Sequence, residues 1–392
     1  MTLQQKQYAA LSASALFLYC SYALARLPII PLYAQSLGAS PQLVGWAVGA
    51  STMTGVLMKL PAGAISDVIG RRRLLLAGAI VFALAPFFYT FATGVMILIL
   101  LRFIHGNATA LFGPTASAFI SDISQPQERG IRLGLYSSFQ GIGQAIGPVI
   151  GGWLITLAGF SIAFSVSGYI GVAGLLLLLL LIRDTDKSEG RADRASFTAG
   201  LGEVFRNRSI IVTSCAVAAM MLAVGAYNGF LPLYASEFVG LDASRIGTIF
   251  GVQVVTALMT RPLMGRLSDR VGRKNLILVA LFSVALMISV LPLVETFQVL
   301  LAFGFLWGLC TATVTSVAMA FITDLANREQ YGSAHGAYGT IFDIGEATGP
   351  VLAGVLVGWL GYGWMFPLMG VAILGFSLVF LLARITPQAS PQ

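Results

Sequence analysis

Two carboxylates, Asp343 and Glu346, lie inside an apolar stretch of the chain, where they could bind and release protons. Asp343 and Glu346 are three residues apart, and this spacing places both side chains on one face of a helix. If the stretch crosses a membrane, an ionised carboxylate there costs at least about 2.5 kcal/mol, so each should be paired, hydrated or protonated. Two close carboxylates also raise each other's proton affinity. The spacing therefore predicts proton carriers, with a permanent salt-bridge network as the alternative.

Basic side chains lie in apolar stretches of the first half of the chain. Arg26 is predicted either to pair with Asp343 or Glu346 or to bind an anionic group of a substrate, and the sequence does not separate these roles. Helical rise places Arg102 in the same outer half of the membrane as Arg26. His105 follows about one turn later and is either a proton relay or a buried, hydrogen-bonded histidine.

The composition supplies the apolar helices that must hold these charges. Of 392 residues, 57% are hydrophobic and 10% are charged, whereas an ordinary soluble domain has roughly a quarter charged residues. This excludes a water-soluble enzyme and a disordered chain. At about 20 residues per span, roughly twelve membrane spans fit. They are predicted near 9–34, 42–62, 73–92, 95–122, 131–157, 160–182, 209–236, 243–264, 275–293, 296–324, 331–358 and 362–383.

The basic residues predict the orientation of these spans. Of the 23 Lys and Arg residues, 18 fall in loops and termini of one side and only Arg245 falls on the other. The positive-inside rule then places both termini in the cytoplasm, and the net charge of +7 reflects topology rather than nucleic-acid binding. Lys59 and Arg261 lie near cytoplasmic ends of spans and are expected to extend to the membrane surface.

The two halves of the chain repeat each other. The segment 183–208 separates a predicted six-span lobe, 1–182, from a second, 209–392. Four matches at an offset of 201 or 202 residues support a duplication. They pair PLYA at 31–34 with 232–235, GAISDVIGRRR at 63–73 with GRLSDRVGRKN at 265–275, AFISD at 118–122 with AFITD at 320–324, and IGPVIGG at 146–152 with TGPVLAG at 348–354.

These motifs resemble a known family of membrane proteins. The duplicated loop, GAISDVIGRRR and GRLSDRVGRKN, resembles the signature loop of the major facilitator superfamily, and LILLRFIHGNATA at 98–110 is similar to its span 4 motif. GIGQAIGPVIGG at 141–152 resembles the span 5 motif of its drug/proton antiporter branch. The resemblance implies an all-α membrane protein with twelve transmembrane helices in two six-helix lobes. Such lobes work by alternating access.

The resemblance also implies gating residues. The loop residues are predicted to latch the cytoplasmic side, the alternative being a basic cluster that only fixes topology. Gly147 and Pro148 form either a hinge between lobes or a static packing seam. The predicted latch residues are Asp67, Gly70 and Arg71 in the first copy and Asp269, Gly272 and Arg273 in the second.

The family architecture implies a cavity lined by spans 1, 4, 7 and 10, with spans 2, 5, 8 and 11 beside them. A wide apolar site with few polar groups suits amphiphilic ligands. Aromatic neighbours such as Trp307 are expected around it. The predicted substrate contacts are Tyr22, Arg26, Asn107, Gln140, Gln144, Tyr227, Asn228, Gln253, Thr313, Asp343 and Glu346.

The sequence thus predicts a proton-coupled secondary transporter, not an enzyme, which exports small amphiphilic molecules from a cell (inner) membrane as a monomer. No phosphate-loop or metal-binding motif is present, so neither a cofactor nor a metal is expected and a proton gradient would supply the energy. One alternative is a transporter of anionic solutes that uses Arg26 and Arg102. Another is a membrane sensor without transport activity.

Overall fold

A computed structural model describes residues 3–125, 127–182, 207–327 and 331–385, with side chains described at all of these except 60, 61, 63–68 and 332. The described residues form α-helices, their connections and one short 3-10 turn, with no strand. A bilayer offers no water to backbone amides and carbonyls, so long apolar segments satisfy these groups within helices.

The described residues of the first lobe form six helices in chain order. Together α1 and α2 form one membrane span. The bounds are α1 Leu3–Arg26, α2 Ile29–Ser36, α3 Pro41–Ile69, α4 Arg71–Tyr89, α5 Val95–Asp122 and α6 Arg129–Leu181.

The part of the second lobe that the structure describes also has six helices. Its short 3-10 turn, Leu291–Leu293, follows α9. The bounds are α7 Arg208–Glu237, α8 Ala243–Val271, α9 Arg273–Val290, α10 Phe297–Leu325, α11 Tyr331–Leu360 and α12 Tyr362–Leu382.

The described helices give twelve spans, in agreement with the predicted fold. Ten segments are long and apolar enough to cross a membrane, with α1 and α2 counted together. One of them, α6, has 53 residues and would be about 80 Å long if straight. It is two spans, because Gly159 has non-helical dihedral angles (φ 80°, ψ 176°). The twelfth span is α3, which has 29 residues and is not among the ten segments.

The predicted span 9–34 differs from the structure because it contains a break. The helix ends at Arg26 and restarts at Ile29. Pro28 lies in this break, and proline has no backbone N–H to continue the helical ladder. Hydropathy does not register such a break, since Pro28 lies between apolar residues. The lobe boundaries 1–182 and 209–392 stay predictions, because most of 183–208 lies outside the described residues.

The duplication is visible in the backbone. Gly70 and Gly272, which precede α4 and α9, have φ of 98° and 93°. Gly159 and Gly361 have φ of 80° and 76°. Each pair is 202 residues apart. Positive φ is accessible to glycine at little cost, so the same sharp turns connect equivalent helices in both lobes.

The lobes approach each other most closely at the membrane face opposite the chain termini, here called the far face. A methyl group on Gly45 of α3 would overlap the carbonyl of Pro350 on α11. The equivalent positions in the other copy behave identically, since Gly247 of α8 meets the carbonyl of Pro148 on α6. Two further equivalent contacts are Gly152 with Ala243 and Gly354 with Pro41. We call this set of contacts the far-face seam.

Three of these helices, α6, α8 and α11, make no such contact in their terminal-side halves. Gly134 of α6, Gly265 of α8 and Gly339 of α11 lie in the terminal-side halves of their helices. A methyl group on any of these three would meet no atom within 4 Å. The cleft between the lobes is therefore closed at the far face and opens toward the termini.

Candidate functional site

Two ion pairs connect the lobes between the far-face seam and the open side of the cleft. Arg26 Nη2 lies 2.7 Å from Glu346 Oε1, and Lys59 Nζ lies 2.5 Å from Asp343 Oδ2. Both cations belong to the first lobe and both carboxylates to α11. The Arg26 and Glu346 side chains are 18% and 19% exposed, whereas Lys59 is 42% and Asp343 10% exposed. Lys59 is thus the most exposed member of the cluster.

The structure places Arg26 against one of its two predicted partners, and its predicted role in substrate binding stays a prediction. Arg26 binds Glu346 across the lobe boundary. The prediction for Lys59 was wrong, because its ammonium binds Asp343 instead of extending to the membrane surface. Charged side chains inside a membrane usually pair with one another, as Lys59 and Asp343 do.

Arg102 faces the backbone of its own lobe. It is completely buried, and its Nε donates to the carbonyl of Ala47 on α3 at 3.1 Å. Its Nη2 approaches the carbonyl of Val48 at 3.5 Å, and Nη1 has no partner among the described residues. In this conformation Arg102 therefore holds α3 near the far-face seam.

His105 and Tyr22 are packed inside the first lobe. His105 is completely buried, and its Nδ1 lies 2.7 Å from the hydroxyl of Tyr89. The ring of Tyr22 packs edge-on against His105 at 5.0 Å, and its hydroxyl lies 2.5 Å from Ser51 Oγ. The guanidinium carbons of Arg26 and Arg102 each lie 6.0 Å from the centroid of the Tyr22 ring. The ring of Tyr22 is thus close to both arginines. Its contact with substrate stays a prediction.

Each predicted gating loop reaches an aspartate that the sequence analysis overlooked. Arg71 Nε lies 3.2 Å from Asp122 at the end of α5, and Arg273 Nε lies 2.9 Å from Asp324 near the end of α10. Arg273 also contacts Asp269 at 3.4 Å. The repeat could have revealed these aspartates, because its copies AFISD and AFITD end in Asp122 and Asp324. The side chain of Asp67 lies outside the described side chains.

A second basic residue in each loop binds the last helix of its lobe. Arg72 Nε donates to the carbonyl of Ile182 at 2.7 Å. Lys274 Nζ donates to the carbonyls of Leu381 and Ala383 at 2.9 and 2.8 Å. The last carbonyls of a helix lack partners and carry partial negative charge, so cations stabilise this end.

The glycines that precede Pro148 on α6, Gly143 and Gly147, form a glycine strip, and this part of α6 makes two kinds of contact. Gly143 and Gly147 face α1, where an added methyl group would overlap the backbone of Leu16 or Leu24. The carbonyl of Pro148 instead faces the second lobe in the far-face seam. The strip is therefore a packing seam within the first lobe, with a lobe contact on its other side. Its role as a hinge stays a prediction.

The remaining predicted contacts divide between the lobes. Asn107 donates to the carbonyls of Phe103 and Ile104, and the Thr313 hydroxyl donates to Leu309, all within their own helices. On α6, Gln140 and Gln144 are half-buried. On α7 and α8, Tyr227, Asn228 and Gln253 are buried. In the part of the chain that the structure describes, no group of three His, Cys, Asp or Glu side chains is placed to hold a metal ion.

Comparisons with known proteins agree with this architecture. A family model described as Major Facilitator Superfamily matches residues 11–243 and 213–392. Multidrug resistance protein MdtG of Proteus mirabilis is 25% identical over 362 residues, which cover 90% of each chain. Quinolone resistance protein NorA of Staphylococcus aureus is 22% identical over 358 residues, which cover 91% of each chain.

A solved structure shares the fold. It is a bacterial homologue of the human lysosomal transporter Spinster in an inward-facing and unoccupied conformation, with a TM-score of 0.79 and 15% sequence identity. The match covers 97% of this chain and 96% of that chain. The chain belongs to the Major Facilitator Superfamily, and like the members of that family it is a multi-pass membrane transporter of small molecules and not an enzyme.

Proposed function

We propose that the protein is a proton-coupled exporter of small amphiphilic molecules. The observation that carries this proposal is the pair of cross-lobe ion pairs, in which Arg26 and Lys59 hold Glu346 and Asp343. A transporter needs a chemical event that changes the free energy of one lobe arrangement relative to the other. Protonation of a carboxylate on α11 is such an event, because it removes the charge that the opposite lobe binds.

The position of the ion pairs connects this event to lobe motion. A methyl group on Gly225 of α7 would overlap the backbone carbonyl of Glu346 and the ring of Pro350, and Pro350 belongs to the far-face seam. Loss of the carboxylate charge weakens the attraction between the lobes next to this seam and favours opening at the far face. One proton that crosses a membrane potential of 100 mV supplies about 2.3 kcal/mol to the transport cycle.

The relatives support the substrate class and the direction. MdtG and NorA are named for resistance to multiple drugs and to quinolones, which fits removal of amphiphilic compounds from the cell. The excess of basic residues at the face of the termini supports a cell-membrane protein with both termini in the cytoplasm. We expect a monomer, with protons and a small molecule as its partners. Transport of anions has less support, because Arg102 is buried against backbone carbonyls and Arg26 is paired.

Proteoliposomes with an acidic interior and external ethidium test the proposal. The wild type should accumulate ethidium only while the proton gradient lasts. The double variant Asp343→Asn, Glu346→Gln should lose this accumulation yet still exchange ethidium down its own gradient. Glu128→Gln is the matched control, since Glu128 is 52% exposed and pairs within its own lobe. Gradient-driven accumulation by the double variant would refute the assignment of these carboxylates.

A further inference from the structure

An uncharged group of polar and aromatic side chains lies inside the second lobe. Tyr227 of α7 stacks on Trp307 of α10, with ring centroids 4.3 Å apart and planes at 14°. Gln253 of α8 lies beside them, because its backbone carbonyl is in contact with Gly308. Asn228 is the next residue of α7 and is buried as well, on an adjacent face of the helix. We call these four residues the lobe-two cluster.

Four polar atoms of the lobe-two cluster have no hydrogen-bond partner among the described residues. The Tyr227 hydroxyl, the Trp307 indole N–H and the side-chain carbonyl oxygens of Asn228 and Gln253 are all buried and unpaired among the described residues. They are also the complete set of unpaired buried side-chain polar atoms within the described residues 207–327 and 331–385. Native proteins pair nearly all such groups, and the exceptions need an explanation.

The repeat shows where this cluster lies relative to the charged site. Trp307 is equivalent to His105 and Gln253 to Ser51, each at an offset of 202 residues. The packing is equivalent as well, because Gly106 meets the carbonyl of Ser51 as Gly308 meets that of Gln253. The lobe-two cluster thus occupies the place in the second lobe that His105 and its neighbours occupy in the first.

The chemistry of the two places differs. Arg26 in the first lobe is equivalent to Tyr227 in the second at an offset of 201 residues. Two ionisable side chains, Arg26 and His105, therefore occupy first-lobe positions at which the second lobe carries the aromatic rings of Tyr227 and Trp307. With Asn228 and Gln253, the second-lobe positions offer two hydrogen-bond donors and two acceptors. Such groups discriminate a ligand by planarity and by hydrogen bonds at its edge, since stacking is favourable for any flat ring and an unpaired buried group gains most from a new partner.

We propose that the lobe-two cluster recognises the planar, hydrogen-bonding part of the substrate, so that the transported class is flat aromatic compounds with donors or acceptors at the ring edge. This inference rests on the proposed function and specifies its substrate. Trp307 is the added specificity-determining residue. Binding supplies the partners that the four polar atoms lack and separates the stacked rings enough to admit the ligand's edge.

Trp307 itself provides the measurement. The protein has five tryptophans, and Trp307 is 1% exposed. Replacing the other four with phenylalanine is expected to be tolerated, because they are between 39% and 76% exposed. The fluorescence of the resulting protein in detergent then reports on Trp307 alone. The residues to replace are Trp46, Trp153, Trp359 and Trp364.

Two probes of equal charge separate planarity from charge. Ethidium is flat and carries amino donors at its edge, whereas tetraphenylphosphonium is neither flat nor able to form hydrogen bonds. In the single-tryptophan protein, Tyr227→Phe and Gln253→Leu should each raise the dissociation constant of ethidium about fivefold, the equivalent of one hydrogen bond. The dissociation constant of tetraphenylphosphonium should change less than twofold. Tyr136→Phe is the control, because its buried hydroxyl also lacks a partner but lies in the first lobe.

The outcomes distinguish this inference from the proposed function. Failure of the wild type to bind ethidium, an unchanged ethidium constant in both variants, or a parallel change for both probes would overturn the inference. Size-exclusion profiles and melting temperatures identify a variant that fails to fold, in which case Trp307→Phe in the native background, followed by equilibrium dialysis, replaces it. Binding is measured without a proton gradient, so absence of proton coupling would not affect the result.

Discussion

Glu346 accepts a hydrogen bond from Arg26 at 2.7 Å, although the two residues belong to different lobes and lie 320 positions apart. Each is less than one fifth exposed, so removal of one leaves the other charged without a partner. Loss of one member of a buried pair is costly, whereas loss of both is much less so.

A double-mutant cycle tests this pair. We expect Arg26→Met and Glu346→Gln each to lower the melting temperature in detergent, and the double variant to lose less than the sum. The coupling should correspond to about 0.5–3 kcal/mol. As the control, Arg132 and Glu128 also lie 2.7 Å apart, but Glu128 is 52% exposed, and exposed pairs are worth about 0–1 kcal/mol. Strict additivity at Arg26 and Glu346 would contradict a coupled pair.

Gly45→Ala should open the far-face seam. The added methyl group overlaps the carbonyl of Pro350, and forcing such an overlap costs about 1–3 kcal/mol. A cysteine at position 244, introduced by Ser244→Cys in a background without native cysteines, should then react with a maleimide about fivefold faster or more. Gly134→Ala is the control, because a methyl group there meets no atom within 4 Å. Equal labelling rates for both variants would argue against the seam.

Asp324→Asn should slow transport more than Asp269→Asn. Arg273 lies 2.9 Å from Asp324 but 3.4 Å from Asp269, and their side chains are 39% and 64% exposed. Because both are partly solvated, we expect a reduction of about two- to fivefold, or up to ~1 kcal/mol, for Asp324→Asn. Initial rates in proteoliposomes, normalised to the amount of inserted protein, measure it. A larger effect of Asp269→Asn would show that the contact within the loop dominates.

Asp242 stabilises the start of α8 in a pH-dependent way. The Ser244 hydroxyl and the backbone N–H of Arg245 donate to its carboxylate and lower its pKa from the usual value. A lowered folded-state pKa means stabilisation that is present above the unfolded pKa of about 4 and lost as the pH falls through the folded value. Asp242→Ala should therefore reduce the melting temperature at pH 7, with a smaller difference from wild type near pH 3.

The variant Asp242→Asn separates the charge from the cap. An asparagine oxygen still accepts from the first backbone N–H groups of α8, and loss of such a cap costs about 1 kcal/mol. We expect Asp242→Asn to lie between the wild type and Asp242→Ala at pH 7 and to show no dependence on the protonation of residue 242. Scanning fluorimetry across this pH range measures all three proteins.

The sequence predicted depth in the membrane better than direction around the helix axis. Spans, the repeat and the presence of carboxylates within α11 followed from hydropathy and spacing. The partner of Lys59 did not. Lys59 follows Gly45 by fourteen residues, close to four helical turns, so both lie on one face of α3. Which helix covers that face became known only from the contact between Gly45 and Pro350.

The lobe-two cluster was also only partly predictable. Tyr227, Asn228 and Gln253 were candidates because polar groups are rare in such spans, and Trp307 was expected only as an apolar neighbour. That the four polar atoms are unpaired depends on side-chain geometry, which spacing does not encode. The equivalence of Trp307 and His105, by contrast, was available from the offset of the repeat, since both occupy the same position in the duplicated unit.

Arg72 and Lys274 have a practical consequence for spectroscopy. Each binds a predicted gating loop to a final carbonyl of its lobe, that of Ile182 for Arg72 and that of Ala383 for Lys274. Arg71 and Arg273 also bind α5 and α10. In each half, one loop is therefore attached to two other helices of the same half. Spin labels placed anywhere on one half should consequently keep their mutual distances through a turnover, whereas any pair that spans the two halves should report the same rotation.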